Sequence, residues 1–204
     1  MWKTAGVAAT MLLSTQPAWA GIFELYGQVQ GGAGLGGGIE VKDPDPSFFA
    51  HTAGGAYGFL MGGEVFFVDG WIEHNQYLDG DGVAGTWTQF MLGMDTAFSL
   101  GDPAPGAQPR HFAEVGMAVG MGVGTPRQVD LPLDNDQVSD KGFLAQLSLG
   151  VEFKLTKLLS MGLAVPITYG YLIKNDSLVE NVDEHYQSIS VAPMLHLRAH
   201  IDVR

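Results

Sequence analysis

Apolar and polar residues alternate along much of this chain, and the alternation is clearest near its C-terminus. In residues 189–204 the odd positions are mostly apolar and the even positions mostly polar. A period of two places successive side chains on opposite faces of a β-strand. Strands in soluble proteins usually have about five or six residues, whereas a strand that crosses a bilayer needs roughly nine to eleven. The length of this segment therefore favours a membrane-spanning strand.

Seven earlier segments show the same alternation with varying clarity. They cover residues 23–30, 57–67, 71–78, 90–100, 113–123, 143–156 and 159–173. The segment 71–78 is the weakest, because its outward face would carry His74 and Gln76 beside Ile72 and Leu78. Together with residues 189–204, these segments predict eight antiparallel strands.

The connections between the segments alternate in length, which is a second and independent signal. Short ones are predicted at Asp69-Gly70, at residues 102–108 and at Lys157-Leu158, and long ones at 38–52, 79–84, 125–140 and 175–184. Asp-Gly is a favoured two-residue hairpin turn. Short turns at one end and long loops at the other are typical of outer-membrane barrels. Pro166 and Pro193 each remove a ladder hydrogen bond, so we expect local bulges there.

The first residues have the pattern of an export signal. Lys3 precedes an apolar run over residues 5–13, and Ala18-Trp19-Ala20 forms a small-x-small cleavage site. The run is too short to span a bilayer. We therefore predict a cleaved signal peptide over residues 1–20 and a single barrel domain over residues 21–204.

The composition of the chain argues against some classes of partner and excludes some kinds of chemistry. The net charge of −12 argues against nucleic acid as a partner, because phosphate contacts need clustered Lys and Arg. The absence of cysteine excludes disulfides, thiol catalysis and cysteine-based zinc sites. The 29 glycines are about twice the usual share. Many of them interrupt the apolar segments and would weaken a helix there.

These features together resemble the small eight-stranded outer-membrane barrels, such as the membrane domain of OmpA and OmpX. The resemblance rests on architecture and covers residues 21–204. It implies an all-β, eight-stranded antiparallel up-and-down transmembrane barrel in the cell outer membrane. Its implied partners are outer-membrane lipid, lipopolysaccharide and the outer-membrane assembly machinery, and we expect a monomer. The chain ends in Arg204, whereas such proteins usually end in an aromatic residue that the assembly machinery reads.

The inward faces of the predicted strands carry charged residues. A barrel of eight strands is just wide enough for side chains to fill its interior, and buried charges must be paired or hydrated. We therefore expect a salt-bridge network that closes the lumen. The residues are Glu24, Glu64, Glu73, Asp95, Arg110, Glu114, Glu152, Lys154, Arg198 and Asp202.

No group of residues in the sequence points clearly to catalysis, a cofactor or a metal. His196 and His200 share a face with Arg198 between them, which is more typical of a polar plug than of a metal site. An acidic loop offers weak candidates for a divalent ion, but it lacks the glycine and distal Glu of a calcium loop. Those candidates are Asp130, Asp134, Asp136 and Asp140.

The sequence thus predicts a non-enzymatic outer-membrane barrel that contributes to envelope integrity or surface interaction through acidic extracellular loops. Two alternatives stay open, namely a narrow pore or transporter for small solutes and a lipid A-modifying enzyme. A further alternative is a soluble periplasmic barrel, in which the apolar face would point inward around an apolar ligand.

Overall fold

A computed structural model describes residues 23–41, 47–79, 82–101, 110–126, 139–175 and 184–203. These residues form nine β-strands: β1 (Phe23–Val41), β2 (Ser47–Val65), β3 (Val68–Asp79), β4 (Gly82–Ser99), β5 (His111–Pro126), β6 (Ser139–Lys154), β7 (Leu159–Asn175), β8 (Glu184–Val191) and β9 (Met194–Val203). The described part of the chain contains no helix that is long and apolar enough to cross a membrane.

Strands β8 and β9 are two halves of one barrel strand, separated only by Ala192 and Pro193. Both halves pair with β7 on one side and with β1 on the other. Every other strand pairs antiparallel with the next one in sequence, and β1 also pairs with β2. Among the described residues each barrel strand therefore pairs with a neighbour on both sides, and the sheet closes on itself. The predicted eight-stranded antiparallel barrel is confirmed.

The two faces of the barrel wall differ sharply in polarity. Outward side chains are large, apolar and exposed, as at Val29 (59%), Met61 (63%) and Met117 (60%). Inward side chains include buried polar groups such as Gln28 and Asn75. This is the reverse of a soluble barrel that holds an apolar ligand, in which the apolar face points inward.

The strands extend further than the alternation indicates. β1 continues to Val41 and β2 begins at Ser47, so much of the predicted connection at 38–52 is strand. Glycine-rich stretches in both strands dilute the sequence pattern but keep the ladder between them, with one shift in register between Ala33 and Leu35. The predicted signal peptide and most of the acidic loop lie outside the described residues.

The two strand prolines do not produce the predicted bulges. β7 runs through Pro166 and keeps one register against β8 and β9. The carbonyl of Pro166 accepts a hydrogen bond from the N–H of Ala192 at 3.1 Å, and that of Pro193 accepts one from Ala33 at 3.2 Å. Each proline keeps its acceptor role and loses only its donor, so the ladder is interrupted at Pro193 but is not displaced.

The first hairpin turn lies at Phe66-Phe67, so the prediction of a turn at Asp69-Gly70 is wrong. Val65 pairs with Val68 to close the turn, and Asp69 belongs to β3. The carboxylate of Asp69 is buried and accepts a hydrogen bond from the Tyr26 hydroxyl at 2.6 Å. A turn at Asp69-Gly70 would slide β3 along β2 and break this contact between β1 and β3. Phe66 instead adopts a φ of 61°, which L-residues other than Gly, Asn and Asp rarely adopt.

Glycines on β5 make room for the largest inward side chain of β4. The indole of Trp87 lies against Gly122 and Gly124, where the Cβ of any other residue would overlap ring atoms. Leu144 closes the same space from β6, since its side chain would lie 2.9 Å from a Cβ at position 122. The packing of Trp87 and Leu144 inside the lumen therefore depends on the two glycines of β5, which leave this space free.

We expect Phe66→Asn to raise the free energy of unfolding by about 1 kcal/mol in detergent micelles, because Asn tolerates the left-handed backbone better than Phe. Urea titration monitored by the fluorescence of Trp71 and Trp87 measures it. Phe67→Asn is the matched control, since Phe67 is not among the described residues with positive φ. An equal effect of the two changes would contradict the backbone explanation.

We expect Gly122→Ala to lower the free energy of unfolding by about 1–3 kcal/mol, because the added methyl group must displace Trp87. The change should also shift the tryptophan emission spectrum. Gly27→Ala serves as the control, because a methyl group there meets no atom within 4 Å. If both alanines are tolerated alike, the packing of Trp87 on Gly122 does not constrain the barrel.

Candidate functional site

The most closely connected polar side chains in the lumen lie near the end with the short turns. Strand β9 lies between β7 and β1, which brings Ser160, His200 and Glu24 together from three strands. The Oγ atom of Ser160 lies 2.7 Å from Nε2 of His200, and Nδ1 of His200 lies 2.5 Å from Oε1 of Glu24. When Nδ1–H donates to Glu24, Nε2 accepts the Ser160 hydroxyl hydrogen. The chain of contacts fixes the orientation of the imidazole.

The order of groups Ser160, His200 and Glu24 is that of a hydrolase triad. A nucleophile must also meet its substrate, with room about 3 Å from the attacking oxygen for the reacting atom. Ser160 is 0% exposed and His200 is 5% exposed. The hydroxyl is thus enclosed by other lumen side chains, and the arrangement serves to hold them in place.

A buried ion pair lies beside this chain of contacts. Glu152 is 2% exposed, and its Oε2 lies 3.3 Å from Nη1 of Arg198. Its Oε1 lies 3.5 Å from Nζ of Lys154 and 3.7 Å from Nε2 of His200. Two cationic side chains and an imidazole therefore surround this carboxylate, as a buried charge requires.

Arg198 links the ion pair to β1. Its Nε donates a hydrogen bond to Oε1 of Gln28 at 2.7 Å, and its guanidinium carbon lies 5.3 Å from the centre of the Tyr26 ring. The Tyr26 hydroxyl in turn donates to Asp69. Through these contacts a single guanidinium connects β6, β9, β1 and β3.

A second polar layer is built around Glu73 from neutral amides. Oε1 of Glu73 accepts hydrogen bonds from Gln30 at 2.6 Å and from Asn75 at 2.7 Å. Its Oε2 accepts one from Gln89 at 2.5 Å, and Trp87 donates to Gln89 at 3.2 Å. Among the described side chains none forms an ion pair with Glu73. Three amide donors satisfy this carboxylate without a counter-charge.

Acidic residues form a row across adjacent strands at the short-turn end. Glu24 pairs with Glu64, and Glu64 pairs with Asp69 in the strand register. Like charges placed directly opposite each other are destabilising. His200 beside Glu24 and the Tyr26 hydroxyl on Asp69 offset part of this repulsion.

A small cavity separates the ion-pair layer from the amide layer. It has a volume of about 100 Å³ and is bordered by Asp69, Glu73, Asp95, Glu114 and Arg198. A water molecule occupies about 30 Å³ in the liquid, so the space suits a few waters and not a larger solute. Four carboxylates face one guanidinium there, which favours cations over anions.

The structure places the charged residues selected from the sequence in three settings. Glu24, Glu152, Lys154 and Arg198 share the ion-pair layer, and Asp95 and Glu114 border the cavity with Glu73. Glu64 belongs to the acidic row, and Asp202 lies in β9, where its backbone pairs with Glu24. Arg110 precedes β5, is exposed and takes no part in the described ion pairs, so it lies apart from the lumen residues.

The described residues do not bring together the acidic-loop side chains that were candidates for binding a metal ion. Asp130, Asp134 and Asp136 lie outside the described residues, and Asp140 lies in β6. Within the described ranges, no group of three or more His, Asp or Glu side chains is placed to hold a metal ion.

Sequence reasoning missed several residues of these layers. Most are uncharged, and only the amides and hydroxyls at the inward positions of each strand could have indicated them. Asp69 was missed because it was assigned to a turn. The residues are Tyr26, Gln28, Gln30, Asp69, Asn75, Gln89 and Ser160.

Removing Arg198 should destabilise the barrel by leaving Glu152 undercompensated. We expect Arg198→Leu to lower the free energy of unfolding by about 3 kcal/mol, measured by urea titration in lipid vesicles. Adding Glu152→Gln should recover part of the loss, because the uncompensated charge is then gone. Arg110→Leu, which removes an exposed arginine, should change stability by no more than about 0.5 kcal/mol. Equal effects at the two arginines would contradict the ion-pair assignment.

Comparison with known proteins supports the fold. No protein-family model matches the chain, and no curated protein matches it in sequence. Among solved structures it is similar to Neisserial surface protein A, with a TM-score of 0.51 and 10% identity over 86% of this chain and 96% of that one.

Two Pseudomonas aeruginosa structures are also similar. The outer membrane protein OprG gives a TM-score of 0.46 at 13% identity, over 90% of this chain and 97% of that one. The N-terminal β-barrel domain of OprF gives 0.42 at 14% identity, over 85% and 97%. With the closed eight-stranded sheet described above, the chain has the fold of the small eight-stranded outer-membrane β-barrels.

Proposed function

We propose that this protein is a non-enzymatic, non-conducting barrel of the outer membrane that supports envelope integrity or surface interaction through its acidic loops. One observation carries the proposal, namely a lumen filled by bonded side chains inside a wall whose outer surface is apolar. When the lumen is closed in this way, contacts with other molecules are made by the outer surface of the barrel and by the connections between its strands.

The apolar outer surface supports placement in a membrane. Outward residues on all eight barrel strands include exposed large apolar side chains, among them Leu25, Ile72, Leu92 and Leu197. In water such a continuous surface would cause association, since soluble monomers rarely expose apolar patches beyond a few hundred Å². In a bilayer the same surface contacts lipid, and the closed ladder satisfies the backbone.

The lumen geometry argues against catalysis and against a wide channel. The Ser160 hydroxyl has no exposed surface, so a lipid substrate could not reach it. The ion-pair layer and the amide layer cross the lumen above and below a cavity of about 100 Å³. Water-filled channels in this class of barrel need about twice as many strands.

A narrow cation pathway is the second candidate, and the acidic cavity is the observation that favours it. Four carboxylates and one guanidinium border the space between the two layers. If the layers opened together, the negative potential there would admit small cations and repel anions.

Planar bilayer recording on the purified, refolded protein distinguishes the two candidates. We expect no steady conductance in potassium chloride, because the bonded layers block the lumen. A reproducible conductance that favours potassium over chloride would support the second candidate. Conductance without selectivity would contradict both.

The membrane location is checked in parallel. The protein should remain in the outer-membrane fraction of cells and migrate differently on a gel before and after boiling. Recovery in the soluble fraction with uniform migration would refute the membrane location itself. A dye-uptake assay on cells lacking the protein then tests the envelope role, and unchanged permeability would leave surface interaction as the role to examine.

A further inference from the structure

The short-turn end of the barrel carries two strongly apolar connections. In the β2–β3 turn, Phe66 is 66% exposed and Phe67 is 63% exposed. In the β6–β7 connection, Leu155 is 48% exposed and Leu158 is 64% exposed. Turns that project into water are built mainly from Gly, Asn, Asp, Ser and Pro, so these two need another explanation.

The two connections lie on opposite sides of the barrel rim. Going round the closed sheet, β4 and β5 separate them in one direction, and β1 with the β8–β9 strand separates them in the other. In a cylinder of eight strands this places them across a diameter. Two apolar contacts so arranged can resist tilting of the cylinder, which a single contact cannot do.

The backbone of the β2–β3 turn holds an apolar residue under strain. Phe66 has a φ of 61° and is the one described non-glycine residue in that region. The chain has an Asp-Gly pair only two residues further on, a sequence that forms such turns easily. The hairpin nevertheless turns at the two phenylalanines and presents both rings outward from the rim.

Both connections continue the apolar outer surface of the barrel. Val65 and Val68 are 44% and 38% exposed and join the Phe66-Phe67 tip to Met61 and Ile72 on the wall. Lys157 lies between Thr156 and Leu158 in the opposite connection and is exposed. A lysine beside leucines that enter a bilayer can extend its ammonium group to lipid phosphates.

We propose that the Phe66-Phe67 turn and the Leu155–Leu158 connection insert into the phospholipid interface at the short-turn end and together fix the depth and tilt of the barrel. The proposal rests on the membrane location proposed above. Its ligand is the lipid of the adjoining leaflet, recognised through apolar burial beside a phosphate-seeking lysine.

Cysteine mapping tests the proposal directly, because the chain contains no cysteine. Single variants F67C and L158C are labelled with an environment-sensitive fluorophore and reconstituted into phosphatidylcholine vesicles. We expect blue-shifted emission, quenching by lipids that carry a nitroxide near the headgroup, and little quenching by aqueous iodide. T156C, at an exposed polar position of the same connection, is the matched control and should remain accessible to iodide.

One further position separates failure of this proposal from failure of the membrane location. M117C, on the outer surface of β5, should be quenched by lipids that carry a nitroxide deep in the acyl chain. If M117C is not quenched, the barrel is not in the bilayer and the proposed location fails. If M117C is quenched while F67C and L158C are as open to iodide as T156C, the anchoring proposal alone is overturned.

Two further measurements test whether lipid or protein covers the β2–β3 turn and whether the two connections set the tilt of the barrel. Protection of F67C only when a periplasmic extract is added would show that a protein partner covers the turn, which overturns the lipid assignment. The double variant F67S/L158S should increase the mean tilt of the strands in oriented bilayers, measured by polarised infrared absorption. An unchanged tilt would contradict the role of the two connections in orienting the barrel.

Discussion

The structure depends on the compensation of the buried Glu152 by Arg198 inside the narrow lumen of an eight-stranded cylinder. Eight strands enclose a space that side chains must fill, and an uncompensated carboxylate in that space would strongly disfavour folding. Arg198 meets Glu152 at 3.3 Å and Gln28 at 2.7 Å, and it lies over Tyr26. The positions of β6, β9 and β1 are thereby tied to one side chain. Contacts between the apolar outer surface and lipid cannot supply such constraints, since they do not distinguish one register from another.

Buried carboxylates are compensated in two different ways along the length of the lumen. Near the short turns, carboxylates are matched with Arg198, Lys154 and His200. One layer further along, Glu73 is matched with amide donors from three strands, and no described side chain forms an ion pair with it. The first solution ties strands together through charge, and the second through hydrogen bonds with fixed direction. Between the two layers the excess of negative charge borders a space that a few water molecules would fill.

Much of the fold could be predicted from the sequence because alternation is a local property. The number of strands, their direction and their outward faces follow from a period of two, and the structure confirms them. The position of the first turn could not be predicted in that way. Asp69-Gly70 is the better local turn, but it is incompatible with the contact of Asp69 with Tyr26, 43 positions earlier, and with the register of β3 between β2 and β4. The alignment of Ser160, His200 and Glu24 depends on the register among three strands, which one sequence does not reveal. The amides around Glu73 could not be predicted from the pattern of charged residues, because these donors are neutral.

The interruption at Pro193 divides the seam that closes the barrel into two ladders. One ladder joins β9 to the first half of β1 and contains Arg198 and His200, and the other joins β8 to the second half. Because Pro193 lacks an N–H group, the ladder misses one hydrogen bond there, and the two halves of the seam are coupled less tightly at that residue. Fraying that starts at the long-loop end therefore meets a natural stopping point at the proline. The half of the seam that holds the charged layer can stay closed while the other half opens.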